Sequence, residues 1–177
     1  MFGELMKLDE GLKYVGIDES NNGKYPTIFV AVFSIFAQDA IIYPNEKYEK
    51  IRKKKGQDPE TYLKRKLAKR DYRFVLIDKE QFNRYKDSIL ERIILTLTSV
   101  DRLDFQPHLL IDGRVPMDKL DCLENNEDLL KKKALISFGD RLDERCYLVN
   151  LADALASFLY HQTVEQLSRN KRKLSLI

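Results

Sequence analysis

The chain has 177 residues, of which 33% are charged and 44% are hydrophobic, a globular composition that excludes extensive disorder. Its net charge of +3 permits a polyanionic partner without requiring one. The longest apolar run, residues 28–37, is about half the length needed to cross a bilayer, and the first residues lack a charged-then-apolar signal pattern. We therefore expect a cytoplasmic protein without a membrane partner.

The first part of the chain predicts strands followed by helix. Strands are expected at residues 14–20, 27–36 and 40–43. Their short connections favour an antiparallel meander. Residues 45–70 are charged and predict two helices or one broken helix, with Asp58 as an N-cap and Pro59 at the first helical position.

The second part alternates strand and helix. A strand at 72–77 precedes a helix from Asp78 to about Ser99, where Asp78 and Gln81 have the spacing of a capping box. Further strands are expected at 106–111 and 134–138, residues 114–133 are not assigned, and residues 139–145 predict a charged, solvated loop. A helix from about Leu148 to Leu167 ends the regular structure, with leucines along one face.

Carboxylates recur at the ends of the predicted elements. Asp18 and Glu19 end the first strand, Asp112 ends the strand at 106–111, and Asp153 lies on the last helix. If the first and fourth strands lie side by side, and the last helix packs across them through its small alanines, Asp153 reaches the other acids. The alanines are Ala152, Ala154 and Ala156. Converging carboxylates without lysine or arginine between them repel one another unless divalent cations neutralise them, and an oxygen-only site suits Mg2+ or Mn2+.

The order of the elements is that of a ribonuclease H-like α/β fold. In this mixed sheet, three antiparallel strands are followed by alternating helices and parallel strands, and we expect a single domain over residues 1–177. The opening Gly16-Ile17-Asp18-Glu19-Ser20-Asn21-Asn22-Gly23 resembles the Gly-Ile-Asp-Glu-Ala-Gly-Arg-Gly of type 2 ribonuclease H. Leu110-Ile111-Asp112-Gly113 resembles the Ile-Asp-Gly of the same family.

A second resemblance concerns the last helix. The segment Leu151-Ala152-Asp153-Ala154-Leu155-Ala156 is similar to the Leu-Ala-Asp-x-x-Ala of an uncharacterised ribonuclease H-like family, whose proteins begin with Asp-Glu-Ser-Gly. Together the two resemblances imply a metal-dependent nuclease with catalytic Asp18, Glu19, Asp112 and Asp153. Asp18, Asp112 and Asp153 would bind Mg2+ or Mn2+, and Asp140 is the alternative to Asp153 as the last acid.

Substrate contacts are expected on both sides of this site. Asn21 and Asn22 stand where type 2 ribonucleases H have Gly-Arg, so the resemblance does not extend to ribonucleotide specificity, but asparagine can donate to a phosphate or a 2′-hydroxyl. Lys53, Lys54 and Lys55 belong to a basic region suited to a phosphate backbone. The other hypothesis is an inactive nucleic-acid-binding or assembly module on the same fold. The oligomeric state is left open.

Overall fold

A computed structural model of the protein describes residues 12–20, 26–48, 58–85, 88–98, 103–113 and 117–170. Its centre is a five-stranded mixed sheet with helices packed on both faces. The strands are β1 (Leu12–Ser20), β2 (Thr27–Ser34), β3 (Asp71–Ile77), β4 (Leu103–Asp112) and β5 (Leu135–Gly139). They lie in the order β3-β2-β1-β4-β5, where β2 is antiparallel to both β1 and β3, and β4 is parallel to both β1 and β5.

Six α-helices and two short 3-10 turns accompany the sheet in the described ranges. The helices are α1 (Pro59–Leu67), α2 (Lys79–Arg84), α3 (Ile89–Thr98), α4 (Met117–Glu124), α5 (Glu127–Lys131) and α6 (Tyr147–Asn170). The 3-10 turns are Ala37–Ala40 and Leu142–Glu144. Among these helices, none combines the length and the apolar character needed to cross a membrane.

The predicted helix starts are confirmed. The Asp58 carboxylate accepts a hydrogen bond from the backbone N–H of Thr61 at 2.8 Å, and Pro59 opens α1. At α2 the Asp78 carboxylate accepts from the Gln81 N–H at 2.7 Å, while the Gln81 side chain accepts from the Asp78 N–H. Both caps satisfy backbone donors that a helix leaves without an intrahelical partner.

Two predictions about the elements are wrong. Residues 40–43 form no strand, because the 3-10 turn Ala37–Ala40 follows β2 and only an isolated bridge joins Ile42 to Cys146. The third antiparallel strand is therefore β3, and the strand ending in Asp112 becomes the fourth and lies beside β1. The helix expected from Asp78 to Ser99 is divided into α2 and α3. The unassigned segment 114–133 contains α4 and α5.

The alternation of side chains along β1 separates two cores. Val15 and Ile17 point into the core made with α3, α4 and α5, whereas Gly16 and Asp18 face the opposite side, where α1 and α6 pack. A side-chain β-carbon at position 16 would lie 2.6 Å from the carbonyl carbon of Leu148. The start of α6 therefore lies directly on β1, which only glycine allows.

Candidate functional site

One acidic cleft lies at the carboxyl ends of β1, β4 and β5, with α6 along one side. Its volume is about 530 Å³, and its lining includes seven carboxylic side chains and one arginine. Asp18, Asp112 and Asp153, which the sequence predicts as ligands, all line it, as does Glu19. The sheet order explains this convergence, because β1 and β4 run parallel and end at the same edge.

Asp18 is a buried carboxylate of the cleft. It is only 8% exposed because it follows Gly16 on the side of β1 that α6 covers. Burial raises its pKa well above the ordinary value, and the charges of Asp112 and Asp153 raise it further. The N–H of Glu19, which donates to Asp18 Oδ1 at 2.7 Å, acts in the opposite direction. Asp18 is thus a carboxylate whose ionisation demands a compensating positive charge.

Asp112 is held by the turn that precedes α6. Its Oδ1 accepts hydrogen bonds from the backbone N–H of Leu142 and, at 3.2 Å, from that of Asp143. Burial raises the pKa of Asp112, as do the charges of Asp143 and Asp140, while the two N–H donors lower it. The next residue, Gly113, has φ of +103° and donates to the Gly139 carbonyl at 3.0 Å, so the chain turns sharply after the acid.

Glu19 lines the same cleft but keeps contact with solvent. Partial desolvation raises its pKa, and repulsion from Asp112 raises it further. Its neighbour Ser20 is buried and accepts from the Ile28 N–H at 3.3 Å, which fixes the last pair of β1 and β2. Glu19 is therefore placed by a regular strand end while its carboxylate stays accessible from the cleft.

Asp153 is half-buried on α6, and its charge raises the pKa of Asp18. Ala152, Ala154 and Ala156 are all buried, in agreement with the predicted close packing of this helix. The helix backbone also approaches β1 closely at Gly16, a residue that the sequence interpretation did not connect with the helix. Asp140, the alternative ligand, also lines the cleft but is exposed at its rim.

Asp143 is a residue of the cleft that the sequence interpretation missed. The loop 139–145 was expected to be solvated, which is wrong for Asp143, only 7% exposed. Arg141 adopts a left-handed conformation with φ of 60°, and the chain then enters the Leu142–Glu144 turn that carries Asp143 into the site. The Asn150 side chain donates to the Asp143 carbonyl at 3.1 Å and ties the turn to α6. The sequence signal that could have identified Asp143 is a carboxylate placed just before the last helix.

A cation also lines the cleft, which corrects the expectation that no lysine or arginine lies among the acids. Arg141 donates from its guanidinium to the Glu144 carboxylate, at 3.0 Å from Nε. Both residues line the cleft, and Arg141 is exposed. This ion pair stands at the rim, whereas the repulsion on Asp18 comes from Asp112, Asp153 and Asp143. The interior of the site therefore keeps its excess of negative charge.

The donors of the cleft suit a hard divalent cation. Asp18, Asp112, Asp143 and Asp153 offer only carboxylate oxygens, which Mg2+ and Mn2+ prefer, and burial leaves their charges poorly solvated. Within the described ranges, however, no group of three or more His, Cys, Asp or Glu side chains is arranged to hold a metal ion. The site thus fits such a cation in donor type and in charge, while its ligand distances are not those of a formed metal centre.

The structure does not test the predicted substrate contacts. Asn21 and Asn22 lie outside the described residues, and so do Lys53, Lys54 and Lys55. Ser157, Tyr160 and His161 extend the cleft along α6 beyond Asp153.

No protein-family model matches the chain, and no curated protein does. Solved structures do match. The chain is similar to one in the structure of the PCNA–RNase HII complex from Archaeoglobus fulgidus, with 15% identity, a TM-score of 0.64, and coverage of 93% of this chain and 80% of that one. It is also similar to Bst-RNase HIII in complex with Mn2+, with 17% identity, a TM-score of 0.61, and coverage of 90% of this chain and 55% of that one.

A third similar structure is the ribonuclease H2 from Pyrococcus horikoshii OT3, with 17% identity, a TM-score of 0.54, and coverage of 90% of this chain and 77% of that one. These likenesses, together with the 3-2-1-4-5 order of the mixed sheet, establish the class of fold. The protein has a ribonuclease H-like fold.

Proposed function

We propose that the protein is a metal-dependent nuclease that hydrolyses phosphodiester bonds. The observation that carries this proposal is the convergence of Asp18, Asp112 and Asp153, from two strands and a helix, on one cleft where their charges raise the pKa of Asp18. Ionised carboxylates this close together repel one another, so the cluster stabilises the fold only if a cation neutralises its negative charge. The matched solved structures, which are named as ribonucleases, support the same reading.

In this proposal Asp18, Asp112 and Asp153 hold Mg2+ or Mn2+, and Asp143 adds a fourth negative charge beside them. The bound cation supplies activation of water and stabilisation of the departing oxygen. Asp18 contributes a carboxylate fixed beneath α6, and Asp112 contributes one fixed by its two backbone donors. Glu19, accessible and with a raised pKa, accepts the proton of the attacking water at its carboxylate.

The substrate in this proposal is a nucleic acid, and the protein acts in the cytoplasm. Asn21 and Asn22 contact the nucleic acid strand, and Lys53, Lys54 and Lys55 contact its phosphates. The proposal also includes the motif resemblances to type 2 ribonuclease H and to the uncharacterised ribonuclease H-like family. Asp140, exposed at the rim, is not a ligand in it.

A second candidate is a nucleic-acid-binding module that lacks hydrolysis. It is favoured by one observation, that no described group of three ligating side chains stands at metal-binding distances. The two candidates differ in whether the acids close around a cation when one is supplied. They can therefore be separated by cleavage and by metal-dependent stability.

The test is cleavage of labelled single-stranded, duplex and hybrid oligonucleotides with Mg2+ or Mn2+, with a chelator as the blank. Asp112→Asn and Asp153→Asn should each lower cleavage on the order of 100-fold or more, because even partners of metal ligands cost 10- to 100-fold. Asp140→Asn, at the rim, and Asp128→Asn, exposed on α5, are the matched controls and should retain activity.

Metal-dependent stability gives a second readout. Mn2+ should raise the melting temperature of the parent, because a cation that binds only the folded protein stabilises it, and Asp18→Asn should remove most of the rise. A parent that binds nucleic acid, cuts none of the substrates and does not respond to the metal would replace the nuclease with the binding module. Loss of cleavage in Asp140→Asn but not in Asp153→Asn would keep the nuclease and change the ligand.

A further inference from the structure

A basic and aromatic surface lies outside the cleft, where α1 meets the start of α6. We call it the α1 ledge and define it by Tyr48, Tyr62, Arg65, Lys66 and Tyr147. Arg65 lies over the ring of Tyr62, with Cζ 5.5 Å from its centroid, and Lys66 Nζ lies 5.7 Å from the same centroid and 5.9 Å from that of Tyr147. The rings of Tyr48 and Tyr147 are 5.8 Å apart. The ledge therefore combines cations with ring faces.

The cations of α1 and its C-terminal extension have two kinds of partner. Lys64 pairs with Glu60 at 2.7 Å. Arg70 lies over the Tyr147 ring, with Cζ 5.1 Å from its centroid, but it also forms two 2.8 Å hydrogen bonds with the buried carboxylate of Asp39. In the part of the chain that the structure describes, the contacts found for the side-chain cations of Arg65 and Lys66 are with tyrosine rings.

This difference decides which charges an external anion can use. A carboxylate neutralises the cation that it binds, whereas a ring only orients it through its quadrupole. Arg65 is exposed and Lys66 is partly exposed, so their positive charges are accessible to solvent beside the rings. Lys64 and Arg70, by contrast, are compensated within the protein.

The ledge is continuous with the cleft through Glu144. The Tyr48 N–H donates to the Glu144 carbonyl at 2.8 Å, and Lys47 Nζ lies 3.9 Å from the Glu144 carboxylate. Glu144 itself lines the acidic cleft. The ledge therefore adjoins the turn that lines the cleft.

We infer that the α1 ledge binds the phosphate backbone of a nucleic acid strand, part of which enters the cleft. The inference rests on the proposed function and adds Arg65 and Lys66 to the residues proposed to contact the substrate. Accessible cations beside aromatic rings are the combination that sequence-tolerant binding of nucleic acid strands uses, with phosphates on the cations and bases near the rings. The acidic cleft would repel such a strand, so a basic surface beside it supplies the attraction that the cleft lacks.

The test is the affinity for a labelled single-stranded oligonucleotide of about 20 nucleotides, measured by fluorescence anisotropy with a chelator present, which keeps cleavage out of the measurement. Arg65→Gln and Lys66→Gln should each weaken binding about fivefold at 0.1 M salt, because each phosphate contact on a single strand contributes about 0.7 to the slope of log affinity against log salt. The double variant should lose about 25-fold and lower the slope by about 1.4.

Lys64→Gln is the matched control, since it changes the net charge equally on the same helix. It should leave the affinity within about twofold, because the charge removed is already compensated by Glu60. Far-ultraviolet circular dichroism checks that each variant is folded. If Lys64→Gln weakens binding as much as Lys66→Gln, or if the double variant binds like the parent, the ledge is not the contact surface and the inference fails.

This design separates the ledge from the nuclease. If the double variant binds more weakly and the parent cuts no substrate, the ledge is supported as a contact surface and the nuclease proposal fails. If the double variant binds like the parent and the parent cuts the substrate, the nuclease proposal is supported and the ledge inference fails. A further arm uses vesicles of phosphatidylserine and phosphatidylcholine, because basic and aromatic surfaces also bind anionic membranes. Binding to these vesicles that depends on Arg65 and Lys66, without binding to the oligonucleotide, would overturn the inference.

Discussion

Replacing Gly16 by alanine tests how the site is assembled, because this glycine lets α6 lie on β1. The added carbon would stand 2.6 Å from the carbonyl carbon of Leu148, 2.7 Å from its oxygen and 2.8 Å from the nitrogen of Val149. Ordinary contacts begin at 3.4 Å, so the helix and the strand must separate by about 0.8 Å. The clashing atoms belong to the backbone, which cannot move aside as a flexible side chain can.

The cost follows from this geometry. Overpacking a well-filled core typically costs about 1–3 kcal/mol, and a clash with helix backbone places Gly16→Ala near about 3 kcal/mol. For a protein of this size each kcal/mol lowers the melting temperature by about 2–4 °C, so we expect a fall of roughly 6–12 °C. Displacement of α6 should also separate Asp153 from Asp18 and weaken the stabilisation by Mn2+.

The assay is thermal unfolding followed by circular dichroism, with and without Mn2+. Gly139→Ala is the control, because its added carbon would meet the end of the Leu142 side chain at 3.2 Å and the guanidinium of Arg145 at 3.4 Å. Both groups are side-chain ends that can shift, so its melting temperature should change by no more than about 2 °C. Equal melting temperatures for Gly16→Ala and the parent would refute the close packing of α6 on β1.

Two further predictions concern buried charge. Asp39→Ala should lower the free energy of unfolding by about 3–5 kcal/mol, because it leaves Arg70 without its buried partner. The control Glu80→Ala removes an exposed ion pair with Arg84 and should cost under about 1 kcal/mol. Equal losses of stability in urea unfolding would contradict this prediction. Asp18→Asn should stabilise the metal-free protein at neutral pH, because the raised pKa of Asp18 means that its charge opposes folding. This advantage should shrink as the pH falls through the native pKa of Asp18 towards its ordinary value, and a difference that is constant with pH would argue against a buried charge.

Much of the architecture could be predicted from local patterns. Strand-forming runs that end in a carboxylate identified the ends of β1 and β4, and helical periodicity identified α6, because both patterns depend on neighbouring residues alone. The convergence of Asp18, Asp112 and Asp153 also followed, since parallel neighbouring strands end at one edge of a sheet. The class of fold is confirmed by the sheet order and by the matched solved structures.

The features that sequence reasoning missed depend on contacts between distant residues. Asp143 lies in a charged segment that reads as solvated, yet it is buried because Asp112 binds the backbone of its turn. Residues 40–43 have strand-like composition, but they pair with no strand of the described sheet. Their pairing is limited to the isolated bridge between Ile42 and Cys146. The role of Gly16 likewise appears only when the helix that covers it is in place.

The hydrogen bonds of Asp112 have a consequence for how variants at this position should be interpreted. One of its oxygens anchors the Leu142–Glu144 turn, and that turn carries Asp143 and leads into α6. Alanine at position 112 would release the turn, so loss of activity in that variant would combine a missing charge with a displaced neighbour. Asparagine retains an acceptor oxygen for the two donors and removes only the charge. Comparing asparagine with alanine at this one position therefore separates the acid's chemical contribution from its contribution as a structural anchor.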